Sequence, residues 1–315
     1  MRILFVKTSS LGDVIHHCPA VTDVRRRFPD AAIDWVVEET FAGIVALHPS
    51  VRRAIPVAVR RWRHGALQPS VWKEVFAFRR LLGAERYDFV IDTQGLLKSA
   101  LIALSAHGVR HGFDAQSARE PIASRFYDVR HSVRREIHAV DRNRALTAVA
   151  LGVEAVDECD YGLVPGPGHR HSLAMPFWIL LSMTSRTDKL WPEQCWADLA
   201  KALAVLGCES VLPWGNEVER ARCRRIVELA GSGVVPRALS LGELASTMSQ
   251  ARGVVGVDTG LTHLAAALKV PAIGLYVRTD PRLTGLHGAG QLANLGGLEQ
   301  MPSVEDALEA VRAIS

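Results

Sequence analysis

Length, composition and charge already exclude several classes of protein. The chain has 315 residues, a length that predicts two domains of ordinary size, and its 48% hydrophobic residues are enough for two cores. A net charge of +4 and a pI of about 8.9 are too mildly basic to indicate nucleic-acid binding on their own.

Cysteine usage and hydropathy further limit the class of protein to which the chain can belong. The five cysteines are scattered without any C-x-x-C pair, so the sequence indicates neither a zinc site nor a disulfide framework. This usage is typical of a reducing cytosol. The opening residues, MRILFVKTSS, are too short for the apolar region of a signal peptide, and no apolar run approaches the roughly 18 residues that span a membrane. We therefore expect a soluble protein that could still lie on a membrane surface.

Strand-like and helix-like segments alternate along the whole chain. Segments with a period near 3.6, at 14–28, 196–207 and 303–314, predict helices. Short apolar runs rich in β-branched residues predict strands at 3–6, 33–39, 87–92, 177–183, 210–214, 253–258 and 271–276. This alternation predicts an α/β fold of doubly wound parallel sheets with helices on both faces.

One segment interrupts the alternation. Residues 164–176, VPGPGHRHSLAMP, concentrate proline and glycine, and we interpret them as an interdomain linker. Two domains follow from this, at 1–165 and 166–315, and the last helix could pack back towards the first domain. Because open parallel sheets bind ligands beyond the carboxyl ends of their strands, the strand ends are the places to search for a site.

The stretch KTSSLGD, residues 7–13, follows the first predicted strand. It holds only Gly12 where a dinucleotide-binding turn needs G-x-G-x-x-G, and a Walker A motif is also absent. A nicotinamide or flavin dehydrogenase is therefore not indicated. Asp13 has two interpretations, a helix N-cap or first-turn acid, or a base at a cleft between the domains. In the second, Gly12 lets the backbone turn tightly so that the acid faces the other domain.

An arginine-rich segment, AIPVAVRRWRHG at 54–65, has a different character. With two residues just upstream, its arginines are Arg52, Arg53, Arg60, Arg61 and Arg63. They form either a solvated loop or a surface for an anionic partner, since arginine pairs bidentately with carboxylates and phosphates. Trp62 could then lie at a lipid headgroup interface. Residues 118–127 add Arg119 and Arg125.

The segment 182–196, SMTSRTDKLWPEQCW, is a strand followed by a polar loop and a helix that begins near Pro192. Thr184, Ser185 and Lys189 could face a diphosphate there, with a solvated loop lysine as the alternative. In PWGNEVERAR, residues 213–222, Glu219 could bind a ribose or could be an ordinary exposed helix acid.

A strand ending at Asp258 leads into a helix over Leu261–Leu268. The free N–H groups of such a helix start favour a phosphate, and Gly260 would allow close approach. Thr259 and Thr262 could add hydroxyl donors, whereas plain N-capping is the alternative for Asp258–Thr259. His263 is either a ligand-binding residue or an ordinary helix residue.

The sequence does not indicate a metal. No D-x-D motif occurs, and the pairs His16–His17 and His169/His171 lack further ligands at metal spacing. We therefore expect no cofactor and no obligatory metal, with a leaving diphosphate stabilised by a helix end and a lysine.

These segments together resemble the lipopolysaccharide heptosyltransferases of glycosyltransferase family 9. The shared segments run almost end to end: VKTSSLGDVIH, DWVVEE, IPVAVRRWR, VIDTQGLLKSA, HGVRHGFD, AREPIAS, DKLWPEQCW, LPWG and VDTGLTHLAAAL. The resemblance implies the GT-B architecture, two Rossmann-like domains facing across a cleft. It also implies inverting transfer of L-glycero-D-manno-heptose from ADP-heptose to the first Kdo residue of Kdo₂-lipid A.

The family's site residues carry over at matching positions. Asp13 is implied as the catalytic base, and Lys189 as the catalytic lysine near the diphosphate. The implied donor-binding residues are Thr184, Ser185, Lys189, Glu219, Leu239, Asp258, Thr259, Gly260 and His263. The implied acceptor-binding residues are Ser10, Gly12, Arg60, Arg61, Arg63, His64 and Arg119. His64 stands where a lysine is expected, which weakens one cationic contact because an imidazole with a pKa of about 6.5 is mostly neutral near pH 7.

The implied partners are ADP-heptose, Kdo₂-lipid A and the cytoplasmic surface of the bacterial inner membrane. The resemblance implies a peripheral, monomeric protein without nucleic acid. Two alternatives stay open: another heptosyltransferase of the family, such as the one that adds the second heptose, and a non-catalytic sugar-nucleotide-binding protein. The segments RRWR and AREP favour addition of the first heptose, and Asp13 within an intact KTSSLGD argues against a non-catalytic protein.

Overall fold

The computed structural model describes residues 1–154, 157–166, 176–184 and 186–314. The chain divides into two compact units, Met1–Gly162 (unit 1) and Leu163–Ser315 (unit 2). The sequence places the division slightly later, between 165 and 166. Most of the predicted linker, residues 167–175, lies outside the described residues, so the linker stays a prediction.

Unit 1 is built on a six-stranded sheet whose strands are all parallel. Its order is β3-β2-β1-β4-β5-β6, and Ile3, Leu4, Phe5 and Val6 of the central strand are fully buried. The strands are β1 (Arg2–Val6), β2 (Ala32–Glu38), β3 (Val51–Val57), β4 (Arg86–Asp92), β5 (His107–Phe113) and β6 (Val129–His131). The strand order reverses between β1 and β4, which is where open parallel sheets bind ligands.

Helices cover this sheet, and one predicted helix is divided in two. The helices are α1 (Leu11–Ile15), α2 (Cys18–Arg27), α3 (Ala42–Val45), α4 (Val59–His64), α5 (Pro69–Gly83), α6 (Leu97–Ala103) and α7 (Ala139–Leu151), with 3₁₀ turns at Glu39–Phe41 and Pro121–Phe126. The prediction of one helix over 14–28 is wrong. Pro19 has no N–H, and its ring would clash with the Ile15 carbonyl in a continuous helix, so the chain ends α1 and starts α2.

Unit 2 is built on a five-stranded parallel sheet in the order β11-β10-β9-β7-β8. The strands are β7 (Phe177–Leu181), β8 (Glu209–Val211), β9 (Gly253–Val257), β10 (Ala272–Tyr276) and β11 (Leu292–Gly296). The helices are α8 (Glu193–Val205), α9 (Glu217–Ala230), α10 (Leu241–Met248), α11 (Gly260–Ala267), α12 (Pro281–Thr284) and α13 (Val304–Ile314), with a 3₁₀ turn at Thr187–Lys189. The switch point of this sheet lies between β7 and β9.

Three fully buried tryptophans, Trp178, Trp191 and Trp196, dominate the core of unit 2. The rings of Trp191 and Trp196 meet edge to face with centroids 5.1 Å apart. The last helix, α13, places Ala307 and Val311 in this same core.

In the described part of the chain, no helix combines the length and the apolar character needed to cross a bilayer.

Candidate active site

Gln94, just after β4, fixes the loop that follows β1 in unit 1. Its side-chain oxygen accepts hydrogen bonds from the backbone N–H groups of Thr8 at 2.7 Å and Ser9 at 3.2 Å. Its side-chain amide donates to the Ser9 carbonyl. Because β1 and β4 are neighbours at the switch point, this clamp positions the start of α1 at the carboxyl edge of the sheet.

Asp13 lies in the first turn of α1, where it both caps the helix and pairs with an arginine. Its Oδ2 accepts a hydrogen bond from the Ser10 backbone N–H at 2.9 Å, and Arg119 Nη2 donates to its Oδ1 at 2.8 Å. The side chain is 15% exposed. The capping interpretation is therefore compatible with the catalytic one, because the cap fixes the carboxylate without enclosing it.

The charges around Asp13 keep it ionised. Burial alone raises the pKa of this carboxyl group, but the nearby cations Lys7 and Arg119 and the Ser10 hydrogen bond outweigh burial, so the pKa is lowered overall. Burial lowers the pKa of the Lys7 ammonium group to about 8, and this group donates to the Thr93 carbonyl at 2.9 Å. A carboxylate with a low pKa is a weak base, best suited to accept a proton late in a reaction.

Two other residues of this region differ from the sequence analysis. Gly12 belongs to α1 and its φ is not positive, so the tight-turn explanation for this glycine is wrong. Lys98 was missed: its Nζ donates to Ser9 Oγ at 2.8 Å, and burial lowers the pKa of its ammonium group. The cation in TQGLLKSA, the segment that follows β4, was the signal that could have identified it.

The predicted acceptor-binding cations Arg60, Arg61, Arg63 and His64 lie together on α4 and are exposed. Arg61 already has two acidic partners, Glu39 at 3.2 Å and Glu74 at 2.8 Å. In the described part of the chain, the guanidinium groups of Arg60 and Arg63 have no acidic partner. These two arginines are therefore the ones on α4 best able to bind an anion.

The other arginines of this segment have a structural role. Arg52 and Arg53 lie on the edge strand β3, and their Nη2 atoms are 2.6 and 2.8 Å from Oδ2 of the fully buried Asp34. Tyr87 donates its hydroxyl proton to the same carboxylate at 2.8 Å. The predictions of a solvated loop and of an anion-binding surface are therefore both wrong for Arg52 and Arg53.

Trp62 is partly buried and already has partners within unit 1. Its Nε1 donates to Glu74 at 2.9 Å, and its ring packs edge to face on Phe78 with centroids 5.6 Å apart. These contacts hold the side chain against the core of unit 1, so the structure gives no support to a lipid-headgroup role for Trp62.

In unit 2, Asp258 joins several of the predicted donor-binding residues. Lys189 Nζ donates to Asp258 Oδ2 at 2.6 Å, and His263 Nε2 lies 3.7 Å from Oδ1. Thr184 Oγ1 donates to the Asp258 backbone carbonyl at 3.1 Å. Because Thr184 follows β7 and Asp258 follows β9, this cluster lies at the switch point of the sheet.

The Asp258 carboxylate stays ionised and orients the lysine. Burial raises the pKa of Asp258, but the hydrogen bonds from His263 and Lys189 outweigh burial and hold the pKa well below its usual range. The capping alternative does not apply to this carboxylate, because the N-cap of α11 is Thr259. The Thr262 hydroxyl donates to the Val257 carbonyl at 2.7 Å, so its predicted use as a ligand donor is wrong. Ser185 lies outside the described residues.

A cleft with a cavity volume of about 150 Å³ opens beside this cluster. Its walls are mostly apolar and its polar side chains include Glu219; the lining residues are Leu181, Ser182, Met183, Pro213, Trp214, Gly215, Glu219, Leu239, Leu241, Leu244, Thr259 and Leu261. Glu219 Oε2 accepts a hydrogen bond from the Gly215 N–H at 2.7 Å, which orients the carboxylate. Thr259 connects the cleft to the positive end of α11, a favourable position for a phosphate.

The sequence profile of one protein family, glycosyltransferase family 9 (heptosyltransferase), matches residues 75–310. This match covers most of the chain. The chain belongs to glycosyltransferase family 9.

Known members of family 9 resemble the chain along its whole length. It is 45% identical over 297 residues to lipopolysaccharide heptosyltransferase 1 of Salmonella typhimurium, with 93% of each protein covered. Among solved structures, it is 41% identical to the E. coli heptosyltransferase WaaC with ADP, at a TM-score of 0.89, and both chains are fully covered. The complex of WaaC with ADP-2-deoxy-2-fluoro heptose gives 40% identity, a TM-score of 0.86 and the same full coverage.

These matches confirm the predicted fold class, two Rossmann-like parallel-sheet domains of the GT-B type, and the predicted enzyme class, a glycosyltransferase. In this family 9 chain, unit 1 holds Asp13 with Arg119, and unit 2 holds Lys189, Asp258 and the apolar cleft. The roles of the individual residues stay predictions.

Proposed function

We propose that the chain transfers L-glycero-D-manno-heptose from ADP-heptose to the first Kdo residue of Kdo₂-lipid A, with inversion at the anomeric carbon. The observation that carries the proposal is the 45% sequence identity to lipopolysaccharide heptosyltransferase 1 of Salmonella typhimurium, which extends over 93% of each protein. The step would contribute to the inner core of lipopolysaccharide.

The cleft of unit 2 suits the adenosine of the donor. Trp214 and Leu239 supply apolar walls for the base, and the carboxylate of Glu219 can accept hydrogen bonds from ribose hydroxyls. The hydrogen bond from Gly215 already fixes that carboxylate, so little side-chain freedom is lost on binding.

The diphosphate belongs at the start of α11. The N–H groups near Gly260 carry partial positive charge, and Lys189, Thr184 and Thr259 lie at the same edge of the sheet. Asp258 holds the Lys189 ammonium group in place by their 2.6 Å contact. This arrangement stabilises the charge that develops on the leaving diphosphate without an obligatory metal.

Asp13 acts as the general base. The acceptor hydroxyl oxygen forms the new bond to the anomeric carbon, the bond from that carbon to the diphosphate breaks, and the hydroxyl proton passes to Asp13. ADP leaves with the bonding electron pair. A weak base is adequate here because the hydroxyl becomes acidic only as it bonds to an electron-deficient sugar carbon.

The acceptor is recognised by its negative charges. Kdo₂-lipid A carries sugar carboxylates and lipid A phosphates, and Arg60, Arg63 and Arg119 offer guanidinium groups to bind them. Arg119 is paired with Asp13 at 2.8 Å, so an acceptor carboxylate that shares Arg119 would raise the basicity of Asp13 as it binds. Because the acceptor is anchored in lipid, we place the enzyme on the cytoplasmic face of the inner membrane as a peripheral protein. We also propose that it acts as a monomer.

Release of ADP tests this proposal against its alternatives. The purified chain is incubated with ADP-heptose alone, with Kdo₂-lipid A, and with Kdo₂-lipid A that already carries one heptose. We expect turnover only with Kdo₂-lipid A. Turnover only with the heptosylated acceptor would indicate addition of the second heptose, and binding of ADP-heptose without any turnover would indicate a non-catalytic protein.

A further inference from the structure

Helix α5 exposes large apolar side chains to solvent. Leu67, in the turn before the helix, is 99% exposed, and Trp72 and Phe76 on the helix are 53% and 63% exposed. We call these three side chains the α5 patch. Large aromatic residues are rarely this exposed on a surface that binds nothing, so their grouping indicates an interaction site.

The α5 patch is an organised surface. Trp72 and Phe76 are four residues apart and therefore share one face of the helix, with ring centroids 6.3 Å apart. Trp72 Nε1 donates to the Ala66 carbonyl at 2.9 Å, which ties the helix to the turn that carries Leu67. The opposite face of α5 is already satisfied, because Phe78 and Leu82 pack in the core of unit 1.

Positive charge surrounds the α5 patch. Residues 59–83 contain six arginines and lysines and a single acid, Glu74, which is itself paired with Arg61 at 2.8 Å. Lys73, Arg79 and Arg80 on α5 are exposed, and none has an acidic partner among the residues that the structure describes. An amphipathic helix with Trp and Phe on its outer face and cations beside them suits the surface of an anionic bilayer.

We propose that the α5 patch docks the enzyme on the anionic phospholipid surface of a bilayer. The aromatic side chains enter the headgroup region while Lys73, Arg79 and Arg80 meet lipid phosphates. The inference rests in part on the proposed function, since a lipid-anchored acceptor must be reached at a membrane. A second copy of the chain is the less suitable occupant, because a symmetric dimer through this face would bring the same cations together. The interfacial role assigned to Trp62 from the sequence thus passes to Trp72.

Vesicle flotation tests the proposal without any substrate. The wild-type protein, Trp72→Ser/Phe76→Ser and Lys73→Gln/Arg80→Gln are each mixed with vesicles of phosphatidylglycerol and phosphatidylcholine, or of phosphatidylcholine alone. The matched control is Val205→Ser/Leu229→Ser, which removes two exposed apolar side chains from unit 2. Phe76→Ser alone preserves the hydrogen bond between Trp72 and Ala66. It shows whether a loss of binding in the double variant reflects a local folding defect.

We expect the wild type and the control to bind anionic vesicles, more weakly as salt is raised, and to bind neutral vesicles poorly. Phe76→Ser and Trp72→Ser/Phe76→Ser should both bind anionic vesicles more weakly than the wild type, the double variant by about tenfold. Lys73→Gln/Arg80→Gln should bind them roughly tenfold more weakly at low salt. Unchanged binding of Trp72→Ser/Phe76→Ser would overturn the proposal. So would a wild-type dimer that this variant converts to a monomer, because the patch would then be a self-association surface.

Activity measurements separate this inference from the proposed function. With a short water-soluble Kdo acceptor, Trp72→Ser/Phe76→Ser should turn over like the wild type, whereas with vesicle-borne Kdo₂-lipid A it should be slower. Equal losses on both acceptors would place the α5 patch in the active site and contradict docking. A wild type that binds vesicles but transfers no heptose would overturn the proposed function and leave the docking result intact.

Discussion

At the scale of single residues, the decisive group is the Asp13 carboxylate. Asp13→Asn retains an oxygen that can cap α1 through the Ser10 N–H but removes the negative charge. We expect kcat to fall about 10²-fold or more with little change in the affinity for ADP-heptose. Steady-state kinetics on a variant with wild-type circular dichroism makes the measurement, and a near-normal kcat would reduce Asp13 to a helix cap.

The environment of Asp13 predicts a shift of the pH profile. Arg119 helps to lower the pKa of Asp13, and the base acts only when ionised, so activity is lost as pH falls through that lowered pKa. Arg119→Gln removes one of the groups that lower the pKa, so the pKa rises. We expect the acid limb of kcat/KM to move to higher pH. An acid limb at the wild-type position would show that Arg119 does not set the ionisation of Asp13.

Lys189 makes a prediction about the leaving diphosphate. Lys189→Ala removes a charge-assisted contact of about 1.5–3 kcal/mol, so turnover should fall roughly 10- to 100-fold. Wild-type activity should survive EDTA, because in the proposed function this lysine and the start of α11 stabilise the diphosphate. Activity abolished by EDTA and restored by a divalent ion would contradict the prediction that no metal is obligatory.

At the scale of elements, the arginines of β3 and α4 are neighbours in sequence with different tasks. Arg60→Ala/Arg63→Ala removes the two guanidinium groups of α4 that have no acidic partner in the described part of the chain. We expect the KM for Kdo₂-lipid A to rise about a hundredfold, corresponding to roughly 3 kcal/mol, with the KM for ADP-heptose unchanged. A rise in the donor KM instead would move α4 to the nucleotide site.

The matched control is Arg52→Ala/Arg53→Ala on β3. These side chains neutralise the buried Asp34, and leaving that carboxylate unpaired should lower the free energy of unfolding by about 3–5 kcal/mol. Urea denaturation measures this loss. The acceptor KM of the folded variant should stay near that of the wild type, and a large increase would return Arg52 and Arg53 to the anion-binding surface.

Sequence reasoning identified the buried elements and missed the half-exposed ones. β1, β9 and β10 are continuous apolar runs, which a parallel sheet covered on both faces requires. β3 carries arginine, and β5 carries histidine and glycine, at positions open to solvent. Their composition therefore predicts loops rather than strands. Edge position explains why Pro56 is tolerated in β3.

The site was predictable as a set of strand ends but its pairings were not. Asp13 and Arg119 are 106 residues apart, and Lys189 and Asp258 are 69 apart. Such pairs depend on strand order and on the packing of loops, which local patterns do not determine. The resemblance to family 9 supplied the residues, and the structure supplied their hydrogen-bonding partners.

At the scale of the whole molecule, the proposed function assigns to this one chain every group that a single inverting displacement requires. In this proposal, unit 1 contributes a fixed, ionised carboxylate and cations for an anionic acceptor, and unit 2 contributes the apolar cleft, the lysine and the helix start. A single displacement reverses the anomeric configuration, whereas a double displacement through a covalent intermediate retains it.

The most direct test is therefore the structure of the product made from ADP-heptose and Kdo₂-lipid A, determined by NMR after enzymatic transfer. We predict one heptose, attached to the first Kdo residue, with an anomeric configuration opposite to that of the donor. A heptose linked at any other residue, or a product that retains the configuration of the donor, would contradict the account.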